Sequence, residues 1–245
     1  MKLEFLGTRG NIDTQNERHQ HHSSIKVSYY HNQVIIDCGE DWAQEVSDWN
    51  ADAIVITHAH PDHAFGLKNG APCPVFATED SWKLMDTFEI EEQRILQERE
   101  CVKIPENSAH PLLFEAFPVL HATRAPAVGY KIQAGEAKVF YVPDVAWIKD
   151  REAAMTGISA YIGDGASVKR SMVRKPGDTI IGHVPIQTQL TWCQKTNVSK
   201  AIFTHLGSVI VDGDEEKIME QIMSMANERG LDDVSIAQDG MAIIF

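Results

Sequence analysis

Residues 57–66 read THAHPDHAFG and place His58, His60, Asp62 and His63 within six positions. Imidazole nitrogens and a carboxylate at this density are ligands for a divalent cation. His58 and His60 are two apart, so both rings can reach one ion from an extended turn. Asp62 and His63 follow directly, and Pro61 bends the chain between the two pairs. A catalytic divalent ion takes at least three protein ligands and a water. Each pair therefore needs a further donor from elsewhere in the chain.

Three other runs of strand type end in such a donor. FPVLH ends in His121, VFYVPD in Asp144 and AIFTH in His205. His121 can complete the first set and His205 the second, while Asp144 has two oxygens suited to bridging both. Asp150 and Asp164 are weaker rivals for Asp144, and His110 is a weaker rival for His121. His31 and His110 otherwise read as ordinary structural histidines. His19, His21 and His22 have no partner spacing that completes a third site, so a loop facing the substrate is the use expected of them. Arg124, three residues past His121, is placed to meet an anionic group. The expected cofactor is thus a pair of divalent ions, zinc in the first instance, with manganese or iron as alternatives.

These donors need strands to hold them. KLEFLG, SIKVSYY, QVIIDCG, AIVITH, CPVFATE, LFEAFPVLH, VGYKIQ, KVFYVPD, AYIGDG, TIIGHV, KAIFTHL, VSIAQDG and MAIIF all read as strands. IQAGEAK supplies a glycine-containing hairpin turn. Helical periodicity predicts a helix over 214–229, with Ile218, Ile222 and Met225 on one face and Gly230 as its stop. Helices are also expected over 185–196 and roughly 41–49, and the acidic run 89–100 reads as a solvated helix. Meandering strands come first, and strands alternating with helices follow. With no linker-like shift in composition, no repeat and no low-complexity tract, one domain over 1–245 is the economical reading.

Composition narrows the function. The chain has 245 residues, 43% of them hydrophobic, and a formal net charge of −13. A broadly acidic surface repels polyanions, so long nucleic acid is disfavoured as a partner. A small, anionic substrate fits if bound metal supplies positive charge locally. No apolar run is long enough to span a membrane. The first residues read as a strand without the apolar core of a signal peptide, so a cytoplasmic location is expected. The four cysteines are scattered and form no CxxC pair or disulfide framework. A homodimer is left open.

The run His58-Ala59-His60-Pro61-Asp62-His63 resembles the HxHxDH signature of the metallo-β-lactamase superfamily. FLGT, VIIDCGED, THAHPDHAFG, VLHA, GYKI, YVPD, THLG and AQDGMAIIF follow in that superfamily's order, across nearly the whole chain. The resemblance implies an α/β four-layer αββα sandwich with a dinuclear site along one edge of its two sheets. Within the superfamily the chain looks closest to the phosphodiesterases, which include the transfer-RNA 3′-processing endonuclease and the cyclic phosphodiesterase of the phosphonate pathway. Arg18–Val27, RHQHHSSIKV, is similar to a stretch of the latter. The endonucleases' His-Glu-Ala-Thr stretch has IGDGAS as its nearest equivalent here, with Asp164 in place of the glutamate. Their His-Ser-Thr stretch becomes GHVPIQ, with His183 retained. No basic, glycine-rich arm for gripping transfer RNA is present.

The implied activity is that of a dinuclear hydrolase acting on a small or cyclic phosphate ester through a metal-bridging hydroxide. Asp62 would orient the nucleophile as well as bind metal. His183, oriented by Asp164, would act as general acid. YVPDVAWI, YIGDGAS and GHVPI also resemble the PqqB protein of quinone-cofactor biosynthesis, which makes a non-haem iron oxidoreductase one alternative. A lactone or thioester hydrolase is another.

Overall fold

A computed structural model describes residues 1–245. The chain opens with an antiparallel meander of β1 (Lys2–Gly7), β2 (Ser24–Tyr29) and β3 (Asn32–Ile36). Strands β4 (Ala53–Val55), β5 (Val75–Ala77) and β6 (Gln93–Ile95) extend that sheet in parallel. Helices α1 (Pro61–Ala64) and α2 (Glu79–Leu84) lie in the crossovers. The second sheet begins with β7 (Cys101–Ile104), β8 (Leu112–Leu120), β9 (Ala127–Ala134) and β10 (Ala137–Tyr141), all antiparallel. Strand β11 (Trp147–Ile148) pairs with the end of β8. After α3 (Arg151–Met155), three strands join in parallel: β12 (Ala160–Asp164), β13 (Lys200–Thr204) and β14 (Asp233–Ile236). Helix α4 (Ile186–Lys195) links the first two, and α5 (Ser208–Val211) with α6 (Glu215–Asn227) links the last two. Finally β15 (Ala242–Ile244) returns to pair with β1. The spatial orders are β15-β1-β2-β3-β4-β5-β6 and β11-β8-β9-β10-β12-β13-β14, with β7 beside β8.

Three apolar clusters separate four layers. Between the sheets, Phe5, Ile25, Val34 and Val55 meet Phe114, Tyr130, Ile162 and Ile202. Outside the first sheet, Ile35, Ile54 and Ile56 pack with Trp42, Leu67 and Trp82. Outside the second, Phe140, Tyr161 and Phe203 pack with Leu190, Trp192 and Ile222 of the helices. Successive residues of one strand enter opposite clusters, as Ile54 and Val55 do, because side chains alternate across a sheet. Burial on both faces is why these strands read as continuous apolar runs rather than alternating ones. This is the αββα sandwich expected from the sequence.

Strand direction then places the polar residues. Strand β8 is antiparallel to β9, which is antiparallel to β10, and β12 and β13 run parallel to β10. Four strands of the second sheet therefore finish on the same edge. Their ends supply His121, Asp144, Asp164 and His205. The parallel pair β3 and β4 of the first sheet supplies Asp37 and the run His58–His63.

Three local expectations differ. The acidic run 89–100 is not a helix: it contains β6 on the open edge of β5. Only Ile90 and Leu96 of that run are buried, too few for a helical stripe, and the backbone pairs with β5 while its charges stay exposed. Region 41–49 holds two short 3-10 turns, at Glu40–Trp42 and Val46–Asp48, in place of one helix. TIIGHV makes only one isolated bridge, between Ile181 and Arg174, because Gly182 turns the chain at φ +97°. No helix is long and apolar enough to cross a membrane.

Candidate metal centre

Strand β4 hands over to Thr57 and His58, and Pro61 opens α1, so Asp62 and His63 sit on one tight helical turn. The second sheet clamps this loop. Val128 donates its N–H to the Thr57 carbonyl at 3.1 Å, and the buried Tyr130 hydroxyl donates to the Ile56 carbonyl at 2.7 Å. Gly39 lies against the same turn: a Cβ there would stand 2.3 Å from the Asp62 carbonyl oxygen. Only glycine lets the two backbones approach this closely.

The seven residues expected to bind metal converge. Nitrogens of His58, His60 and His121 lie within 4.8 Å of one another, and so do donor atoms of Asp62, His63 and His205. Asp144 stands between the two groups. Its Oδ1 is 3.5 Å from His121 Nε2, and its Oδ2 is 2.8 Å from His63 Nε2 and 3.3 Å from His205 Nε2. Asp62 Oδ2 lies 3.1 Å from His205 Nε2 and 3.2 Å from His63 Nε2. Two of the rivals lie elsewhere: Asp150 pairs with Arg99 at 2.7 Å, and exposed His110 stacks on Tyr30, while Asp164 sits at this edge against His183. His205 adopts φ +53°, a conformation uncommon for a residue with a side chain.

Groups behind the donors orient them. His63 Nδ1 donates to Asp37 Oδ2 at 2.8 Å, and His121 Nδ1 donates to the Gly182 carbonyl at 3.3 Å. Thr57 donates its hydroxyl to Asp37 Oδ2 at 2.8 Å, so it is left to accept from His58 Nδ1 at 3.1 Å. In these three rings Nδ1 is thus committed and Nε2 is left toward the centre, the arrangement that prepares an imidazole for metal. The strand-end rule that selects His58 and Asp144 also selects Asp37, which ends the run QVIID, although the sequence reading assigned it no role.

The charges suit divalent ions. Asp37, Asp62 and Asp144 are 0%, 3% and 3% exposed, and buried carboxylates of this number need cations nearby. Burial opposes charging of His63, but Asp62, Asp144 and Asp37 outweigh it and push its pKa well up. Burial, aided by His63, pushes His58 well down, and burial with His121 beside it lowers His60 to about 4. Those two rings are therefore neutral, which is the ligand form. His63 Nε2 and Asp144 Oδ2 are buried yet not aligned for any hydrogen bond, although they lie 2.8 Å apart. Converging donors that satisfy one another this poorly fit a site shaped for metal.

His183 and Asp164 also meet at this edge. His183 Nδ1 is 2.8 Å from Asp164 Oδ2 and 3.6 Å from Asp144 Oδ1. Burial lowers the His183 pKa, but Asp164 more than offsets it and raises the value to about 9. Asp164 accepts backbone N–H bonds from Val145 at 3.0 Å and Ala166 at 2.9 Å. Gln189, unremarked in the sequence, donates to the Asp164 carbonyl at 2.7 Å and accepts from its N–H at 3.0 Å. Asp164 therefore ties the loop bearing Asp144 to the histidine.

The N-terminal histidines turn inward instead of facing a substrate. His19 is fully buried against Thr8 at 2.8 Å, His22 is buried beside Asp41 at 3.0 Å, and His21 stacks on Trp42. They fasten the 8–23 loop to the body of the protein. That loop in turn pairs Arg9 with Leu206, next to His205.

A family model described as the beta-lactamase superfamily domain matches residues 32–206, more than half of the chain. The chain belongs to the beta-lactamase superfamily. Among curated members, the ribonuclease Z of Methanopyrus kandleri is 27% identical over 203 residues, which cover 70% of each protein. The ribonuclease Z of Methanococcus aeolicus is 36% identical over 72 residues, only 21% of its own length. Among solved structures, the metallo-β-lactamase fold protein YhfI of Bacillus subtilis aligns with a TM-score of 0.73 and 14% identity, over 99% of this chain and 98% of that one. A diphosphatase of the PhnP family aligns at 0.69 with 19% identity, over 100% of this chain and 97% of that one. At these identities the structural likenesses establish the metallo-β-lactamase fold.

Proposed function

We propose that the protein is a metal-dependent phosphodiesterase that cuts a small or cyclic phosphate ester. One observation carries the reading: Asp144 directs its two oxygens to opposite donor groups, beside the His183–Asp164 pair. His58, His60 and His121 would hold one divalent ion, and Asp62, His63 and His205 the other, with Asp144 shared. Two such ions, zinc first and manganese or iron as alternatives, supply an activated water and offset charge developing on the ester oxygens. Asp62 both binds and orients. Asp164 holds His183 through Nδ1, leaving Nε2 as the atom that hands a proton to the departing oxygen.

The names of the curated relatives support a phosphodiester as the bond cut. The net charge of −13 favours a small substrate over long RNA. In this reading residues 1–245 act as one domain in the cytoplasm.

The test is release of p-nitrophenol from bis(p-nitrophenyl) phosphate by protein loaded in turn with zinc, manganese or iron. Lactone hydrolysis and oxygen uptake are measured in parallel. Turnover is expected only with metal and is lost in Asp144→Ala. His183→Ala is expected to lower it about 10²- to 10⁴-fold with metal content intact. Full activity of Asp144→Ala, or oxygen uptake in place of hydrolysis, overturns the reading.

A further inference from the structure

The chain has nine arginines. Five of them, Arg9, Arg18, Arg94, Arg99 and Arg229, pair with carboxylates. Arg151 packs over Trp147 and Trp192. The other three, Arg124, Arg170 and Arg174, make neither kind of contact, although the chain carries 35 acidic residues. All three line the two cavities that flank the metal centre.

Those cavities lie on either side of a flap, residues 171–183. Met172 donates to the His183 carbonyl at 3.0 Å, and Arg174 and Ile181 exchange hydrogen bonds at 2.8 and 2.9 Å. Gly182 ties the flap to the His121 carbonyl at 2.7 Å. The cavity of about 460 Å³ holds His183, His205, Arg170 and Arg174, with Asn11 and Ser208 as neutral hydrogen-bonding groups. The cavity of about 400 Å³ holds His60, His121, Arg124 and Arg174. Arg174, Met172 and His183 form the shared wall.

We propose that Arg170 and Arg174 bind a second phosphate of the substrate, one that is not cut, in the larger cavity. The proposal rests on the phosphodiesterase reading and names a feature of its substrate. Residues Lys169, Arg170, Arg174 and Lys175 put four positive charges into seven positions of an otherwise acidic chain, with no acidic residue among them. At the centre itself, the buried carboxylates of Asp37, Asp62 and Asp144 would offset most of the charge that two divalent ions bring. A second phosphate therefore needs cations of its own, and guanidinium forks bind phosphate oxygens two at a time. Free arginines at an exposed rim have no structural task to explain them.

Two probes isolate the effect. Thymidine 5′-(p-nitrophenyl phosphate) and its 3′-phosphorylated form share the same scissile bond. The wild type is expected to favour the 3′-phosphorylated probe about tenfold or more in kcat/KM, as a charge-assisted pair of contacts would give. Arg170→Gln and Arg174→Gln should each shrink that ratio, mainly through KM, and the double variant should bring it near one. Arg174→Lys should keep part of it. Calorimetric binding of thymidine 3′,5′-bisphosphate to chelator-treated protein should weaken in the same order. A ratio near one in the wild type, or one unchanged in the double variant, overturns the subsite and leaves the phosphodiesterase reading standing. If neither probe is cut with any of the three metals, the phosphodiesterase reading fails. The bisphosphate titration then decides the subsite alone, and equal affinity in wild type and double variant overturns it.

Discussion

Asp37 shows how much of the centre depends on a residue that does not face its interior. It is fully buried, sits at φ +66°, and receives both His63 Nδ1 and the Thr57 hydroxyl that positions His58. One carboxylate therefore sets ring orientation in both donor groups. Asp37→Asn keeps the shape but removes the charge that draws the His63 proton to Nδ1. It is expected to weaken metal binding about 10- to 100-fold, read by titration against a competing chelator. Affinity within twofold of wild type would show that Asp37 is only packing. Of the candidate donors, His58, His121, Asp144 and His205 were legible from residue type and strand-end position, and His60, Asp62 and His63 from their spacing after His58. Asp37, which ends the run QVIID, was equally legible by the strand-end rule, although the sequence reading gave it no role.

At the level of elements, the flap 171–183 is the part whose conformation the sequence misrepresents. TIIGHV has the composition of a strand, yet its backbone bonds go to Arg174, Met172 and His121 instead of to a sheet. Gly182 makes this turn possible: at φ +97° a side chain is strained, and a Cβ would lie 2.3 Å from the Met172 carbonyl. Gly182→Ala should displace the flap and with it the adjacent His183. Phosphodiester turnover is expected to fall at least about tenfold, since misplacing a catalytic group by an ångström costs this much or more, and metal affinity is expected to weaken as well, because the Gly182 carbonyl orients His121. Normal turnover at saturating metal would show that the flap does not position His183. Segment 89–100 gives the opposite lesson. Its charges were read correctly as solvent-facing, but charge alone does not distinguish a solvated helix from an edge strand. The open edge of β5 decided between them.

For the whole molecule, the cost of gathering buried carboxylates predicts a link between metal and stability. Asp62 and Asp144 come from different sheets and are each 3% exposed, so the two halves of the sandwich meet across like charges. Cations bound there stabilise the folded state only, by about 2.7 kcal/mol per site at a hundredfold excess over Kd. For a chain of this size each kcal/mol shifts the melting point by about 2–4 °C. Chelation should thus lower the melting temperature by about 10 °C or more, and restored metal should recover it. Calorimetric scans with and without chelator check this, and identical midpoints would remove metal from the stability of the fold. The sequence by itself determined a series of buried strands alternating with amphipathic helices, because apolar runs and helical periodicity are local, while the αββα layering followed from the resemblance to the metallo-β-lactamase superfamily. It also pointed to the candidate donors, because three imidazoles and a carboxylate within six positions, with matching groups after three other strands, do not arise readily by chance. What only the tertiary structure decided was direction and company. Strand order put His121, Asp144, Asp164 and His205 on one edge, Asp37 and Thr57 behind the rings, and three free arginines around the rim. Those placements depend on contacts between residues far apart in the chain, which local spacing does not encode.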